Sequence, residues 1–132
     1  MLRSVERHQI KRGYIYKLPL ANGRRQAVLV LQNDVGNSHS PTVIVSPLTR
    51  DPRAKGLQFS VTIDRNSLKV FKEDKTVLLS QIRTIPREYF SEENHVGSLG
   101  REDMEKVDLA LQMSLGLSVI QRLQSRRRNE LG

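Results

Sequence analysis

From Gly13 to Pro86 the apolar residues come in short runs, and no run keeps a helical period. They are "GYIYKLPL" from Gly13, "QAVLVLQ" from Gln26, "TVIVSPL" from Thr42, "LQFSVTID" from Leu57 and "KTVLLSQIRTIP" from Lys75. β-Branched and aliphatic residues dominate, and each run is too short to bury a helix face, so each predicts a strand. "ANG" (Ala21 to Gly23) signals a turn, while "NDVGNSHSP" and "TRDPRAKG" read as loops. Pro47 inside the third run predicts an edge or a bulge, and Pro86 stops the last one. Only "REDMEKVDLALQMSLGL" changes period: Met104, Val107, Leu111 and Leu115, with Ala110 beside them, fall on one helical face. Acidic residues crowd its first turn, as the helix dipole favours, and Gly116 marks its end or a kink. Strands followed by one helix predict a β-rich α+β, barrel-like domain rather than alternating βαβ units.

The length of 132 residues fits one domain. Residues 1–11 read as a basic tail, 12–117 as the domain and 118–132 as a basic extension. The formal charge of +8 favours a polyanion such as nucleic acid, or an acidic protein. There is no cysteine, hence no disulfide framework and no thiolate metal site, which suits a reducing cytoplasm. No apolar run is long enough to span a bilayer, and the N-terminus lacks the apolar core of a secretory signal. With no Trp and few aromatics, a long base-stacking platform is not expected. A nucleic acid would be held through its phosphates and a few pockets.

Familiar catalytic sets are missing: there is no P-loop, no GxGxxG and no HExxH. His8, His39 and His95 show no sign of converging and read as solvent-exposed. No His, Asp or Glu grouping has ligand spacing, so neither a metal nor a cofactor is expected. What remains is basic and hydroxyl residues at strand ends. Arg24 and Arg25 precede one strand; Thr49, Arg50, Arg53 and Lys55 follow the next. If those strands are antiparallel neighbours, the arginines and the threonine share a rim. Forked guanidinium groups there would cradle a phosphate, or merely solvate the rim of a basic protein. Tyr14 and Tyr16 are expected to fill the barrel.

The stretch "VLVLQNDVGNSHSPTVIV" (Val28 to Val45) resembles the MazF/PemK family of toxin endoribonucleases. "RGYIY" (Arg12 to Tyr16) resembles that family's first strand, "VLLSQIRTI" (Val77 to Ile85) a second family segment, and "MEKVDLALQMSLGL" (Met104 to Leu117) its C-terminal helix. The resemblance implies an SH3-like β-barrel with a C-terminal helix, of the MazF/PemK/CcdB-like type, acting as a cytoplasmic homodimer. It implies a type II toxin that cleaves single-stranded RNA at short sequences without a metal. In that chemistry the ribose 2′-hydroxyl attacks the adjacent phosphorus and leaves 2′,3′-cyclic phosphate and 5′-hydroxyl ends. The implied partner is a small acidic, MazE-like antitoxin.

By the same resemblance Thr49 and an arginine opening the second strand are catalytic, while Asn33, Gln81 and Arg83 fall in segments of the RNA groove. Arg50, Arg53 and Lys55 are expected along the RNA backbone. The chain departs from the family in "LPLANGRRQAV", which is several residues shorter than the family's first loop and lacks its Glu-Gln pair. Counting back from "QND" without a gap puts Gln26 at the catalytic arginine's place. One extra residue in a β-bulge puts Arg25 there, with Gln26 next to it, and Arg25 is on this reading the expected catalytic arginine. In the ungapped register Arg24 shares the side of Gln26 and is a substitute. Two further readings stand beside an active ribonuclease: a catalytically weakened module that binds RNA or antitoxin, and a gyrase-targeting toxin of the same fold.

Overall fold

The structure is a computed structural model describing residues 8–19, 22–68 and 70–117. The tail before residue 8 and the extension from 118 onward lie outside the described residues. The apolar runs pair into strands β1 (Tyr14–Pro19), β2 (Arg25–Val30), β3 (Thr42–Thr49), β4 (Ser60–Ile63), β5 (Lys75–Leu78), β6 (Arg83–Pro86) and β7 (His95–Ser98). Their order is β4-β5-β3-β2-β1-β7, and β6 also pairs with β3. All the pairings are antiparallel. β3 is the hub: its first half pairs with β6, its middle with β2 and its last two residues with β5. That change of neighbours curls the sheet.

Strand alternation divides the apolar residues between two clusters. Ile15, Ala27, Leu29, Leu48, Val61 and Val77 face the inside of the curl. Tyr16, Leu18, Val28, Val30, Val43 and Val45 face the other way, and Ile10 and Phe90 pack with them. β2 is therefore buried on both sides, which is why its sequence reads as one continuous aliphatic run. Tyr16 is fully buried in the outer cluster rather than inside the barrel, while Ile10, in the segment read as a tail, is only 4% exposed. The helix α2 (Arg101–Leu115) closes the inner cluster with Val107, which has no exposed surface. Met104, Ala110 and Leu111 pack beside it, whereas Leu115 is 55% exposed and stands off the core. Gly116 ends α2 with φ +66°, and its N–H returns to the carbonyls of Gln112 and Met113.

Several expectations change. "NDVGNSHSP" is not merely a loop: it holds a short helix, α1 (Asp34–His39). Asn33 caps it, its Oδ1 accepting the Gly36 N–H at 2.8 Å. Asn37, 1% exposed, donates from Nδ2 to the Gln32 carbonyl at 2.8 Å and accepts from Gln32 Nε2 at 3.2 Å. A Cβ on Gly36 would lie 3.0 Å from Gln32 Cγ, so glycine lets the helix close on that side chain. "KTVLLSQIRTIP" is two strands rather than one, because β3 can pair with it only on either side of the turn that carries Gln81. Pro47 is neither at an edge nor in a bulge. It pairs with Val28 inside β3, at the step where β3 has left β6 and not yet met β5. Its missing N–H interrupts no ladder on that side. "TRDPRAKG" contains a 3-10 turn at Pro52–Gly56, capped by Asp51.

Candidate active site

The start of β2 and the end of β3 do share a rim. Val28 pairs with Pro47 and Val30 with Val45, so two more steps of that register bring Gln26 beside Thr49. The contact is direct: Gln26 Nε2 donates to the Leu48 carbonyl at 2.8 Å and to the Ala27 carbonyl at 2.9 Å. Both amide hydrogens are thereby occupied, and only Oε1 is left toward an incoming group. Thr49 Oγ1 accepts the Asp51 N–H at 3.1 Å, so its own hydrogen remains to donate.

The β1–β2 register runs without interruption from Ile15 opposite Leu29 to Pro19 opposite Arg25. No bulge inserts an extra residue there. Gln26 therefore keeps the side of Val28 and Val30, and Arg25 projects from the opposite one. Arg25 Nη2 reaches across β1 to the Lys17 carbonyl at 3.0 Å and to Asn94 Oδ1 at 3.2 Å. Thr49 stands on β3, at the other flank of β2. Arg24 precedes the strand, with its backbone N–H on Asn22 Oδ1 at 3.0 Å. It is exposed, and its guanidinium makes no hydrogen bond or ion pair among the described residues.

Arg50, Arg53 and Lys55 are already paired. Arg53 is held by Asp51 in a bidentate pair of 2.8 and 3.1 Å, which keeps the Asp51 carboxyl below its ordinary range. Lys55 Nζ lies 3.2 Å from Asp74, whose carboxyl is lowered first by the Arg65 N–H and then by this lysine. Arg50 Nη1 lies 3.7 Å from Glu73 Oε1. Arg83 is exposed at the start of β6 and helps line a cavity of about 350 Å³ with Leu18, Gln26, Val28, Pro47 and Tyr89. That cavity has an apolar floor with Gln26 and Arg83 at its edge, next to the Thr49 rim. Gln81 is exposed in the turn between β5 and β6, where β3 changes neighbours. Asn33 is not brought to this rim. It sits past the far end of β2, and its side chain is spent on the α1 cap.

His39 is exposed as expected, whereas His8 and His95 are half-buried and approach each other. His8 Nε2 meets the Tyr16 hydroxyl, and the His8 and His95 ring centroids are 5.9 Å apart. His95 stacks on Tyr14 at 4.1 Å. Burial pushes the Tyr16 hydroxyl well above its ordinary pKa, and burial first, then His95, lowers His8. No group of three His, Asp or Glu side chains able to hold a metal is found among the described residues. No described helix is long and apolar enough to cross a membrane.

The curled sheet, the closing helix and a strand-end rim of a hydroxyl beside basic groups define a β-barrel domain built to meet a polyanion. The family model for PemK-like, MazF-like toxins of type II toxin–antitoxin systems matches residues 11–115. The endoribonuclease EndoA of Bacillus subtilis strain 168 is 40% identical over 114 residues, covering 82% of this chain and 96% of the relative. A mycobacterial endoribonuclease superposes with a TM-score of 0.69 at 22% identity, covering 84% of this chain and 95% of that one. MazF in a MazE–MazF structure from Deinococcus radiodurans gives a TM-score of 0.68 at 24% identity, covering 84% and 99%. The chain belongs to the PemK-like, MazF-like toxin family, and it is a toxin endoribonuclease with that family's SH3-like barrel.

Proposed function

We propose that this toxin cleaves single-stranded RNA at short sequences by metal-independent transesterification. The ribose 2′-hydroxyl oxygen attacks the adjacent phosphorus. The bond to the 5′-oxygen breaks and that oxygen takes up a proton, leaving 2′,3′-cyclic phosphate and 5′-hydroxyl ends. Such a reaction needs donors placed where charge develops on the non-bridging oxygens. The observation that carries the reading is the Thr49 hydroxyl, free to donate on a basic rim and near an apolar cavity of about 350 Å³ edged by Arg83.

The uninterrupted β2 register supports Arg24, rather than Arg25, as the cation facing the phosphate with Thr49. Gln26 orients the rim by clamping the Leu48 carbonyl. Arg83 and Gln81 lie along the path of the flanking nucleotides. The toxin works in the cytoplasm as a homodimer and is silenced by a small acidic antitoxin that covers this groove. One observation favours a second reading, a module that binds but scarcely cleaves: Gln26, in the place where the family has its arginine, has both amide hydrogens engaged.

The test is incubation of a long single-stranded RNA with purified protein in EDTA, with the fragment ends mapped. Discrete cuts ending in cyclic phosphate, abolished by Thr49→Ala, are the expected result. Binding without cuts from the folded wild-type protein would establish the second reading instead.

A further inference from the structure

A second basic group lies just off the Thr49 rim, on the opposite side of the strands. Lys17 Nζ sits 5.7 Å and Lys75 Nζ 5.0 Å from the centroid of the Phe71 ring. Phe71 is itself buried. Lys75 leaves only 15% of its side chain exposed, and Arg50 approaches the same spot through Glu73. Both ion pairs fall on Glu73 Oε1, at 3.7 Å from Arg50 and 3.8 Å from Lys75. Neither distance is a hydrogen bond. Arg50 and Lys75 thus share one loosely held carboxylate, with Lys17 beside them over the Phe71 ring.

A partly desolvated ammonium is poorly compensated by a carboxylate at such a distance. Burial lowers the Lys75 pKa most; Glu73 raises it, while Lys17 and Arg50 push it further down. The cluster therefore gains from an anion closer and more highly charged than Glu73. Its position says which one. Arg50 directly follows Thr49, and Lys75 directly precedes Thr76, the residue paired with Thr49 across β3 and β5.

We propose that Lys17, Lys75 and Arg50 bind a second phosphate of the RNA, next to the one that reacts at Thr49, with Glu73 displaced from between them. This site rests on the ribonuclease reading and deepens it. It holds the strand by charge without touching the reacting atoms, so it sets RNA affinity rather than the chemical step.

The experiment measures binding of a fluorescein-labelled 2′-O-methyl RNA of mixed sequence, which the enzyme cannot cleave, over a range of KCl concentrations. Lys17→Met and Lys75→Met keep the apolar stems on Phe71; Lys75→Arg restores the charge. The double methionine variant is expected to weaken binding by about fivefold. It should flatten the slope of log affinity against log salt by about 0.7, the value for one lost phosphate contact on a single strand. With cleavable RNA, KM should rise while kcat holds. Glu73→Gln, at an exposed residue, should tighten binding, and Lys75→Arg should restore the slope.

An unchanged slope in a wild-type protein that cuts RNA overturns the second site and leaves the ribonuclease standing. A lysine-dependent slope in a protein that cuts nothing keeps the site and removes the ribonuclease. Failure of the wild-type protein to bind the probe at all overturns both. If the lysine variants bind RNA as before but lose competition by a hepta-glutamate peptide, the cluster serves an acidic protein and the RNA assignment falls.

Discussion

Replacing Arg24 by alanine is predicted to damage cleavage far more than replacing Arg25. Arg25 leaves the far side of β2, crosses β1 and donates to Lys17 and Asn94 at 3.0 and 3.2 Å. Gln26 faces Thr49, but its donors are spent at 2.8 and 2.9 Å on carbonyls, so its oxygen meets the phosphate. Arg50 is paired with Glu73 at 3.7 Å. Arg24, whose guanidinium has no partner among the described residues, directly precedes β2, where an extended chain puts it on the side shared by Gln26 and Thr49. Removing one preorganised donor from a developing oxyanion costs roughly 10²–10³ in kcat, or about 2.7–4 kcal/mol. Arg24→Ala should therefore fall by about that factor, whereas Arg25→Ala loses only exposed hydrogen bonds and should stay within about fivefold. In the Arg24→Ala background, Gln26→Arg should recover part of the loss, because a guanidinium can hold the Leu48 carbonyl and still present a fork. The assay is single-turnover cleavage of one mapped RNA by each variant, with circular dichroism to confirm folding. A large loss in Arg25→Ala and a small one in Arg24→Ala would refute the reasoning and require β2 to shift by one residue when RNA binds.

Two further predictions concern the α1 turn that fixes the far end of β2. Asn37→Ala takes the donor from the buried Gln32 backbone carbonyl and leaves the Gln32 amide only the Thr42 carbonyl, at about 2–3 kcal/mol, and should lower Tm by roughly 10 °C in a thermal melt. A fall of under about 2 °C would mean that water replaces the amide there. Asp34 accepts the Arg12 N–H at 2.7 Å and the Asn37 amide at 3.2 Å, and the former holds its pKa below the ordinary 3.8. A depressed folded pKa contributes stability that is present above the unfolded value and is lost as pH falls through the folded one. Wild-type Tm should accordingly drop more steeply than that of Asp34→Asn as pH falls below 3.8, and parallel curves would count against it.

Much of the fold was legible in the chain because strand length and alternation are local properties. The aliphatic runs, the turn at Gly23 and the α2 stripe at Met104, Val107 and Leu111 all report on their own few residues. α1 was hidden because it is held by the Asn33 cap and the Gln32–Asn37 pair rather than by an apolar stripe. β7 was hidden because "HVGS" is short and gains its place from β1. Thr49, Arg24 and Arg25 could be picked out as rim residues, since an antiparallel pair puts one strand's start beside the other's end. Their roles could not be divided that way. A single extra residue in β2 exchanges the two sides of the strand, and the sequence permits either count. Only the pairing of β2 with both neighbours settles that count, leaving Gln26 beside Thr49 and sending Arg25 toward Asn94. The same holds for Lys17 and Lys75, which are far apart in the chain and meet over Phe71 because the sheet curls. Sequence alone determined the aliphatic strand-forming runs before β7 and the excess of basic residues. Which charges meet, and which already have partners, depends on long-range pairing and was decided by the tertiary structure.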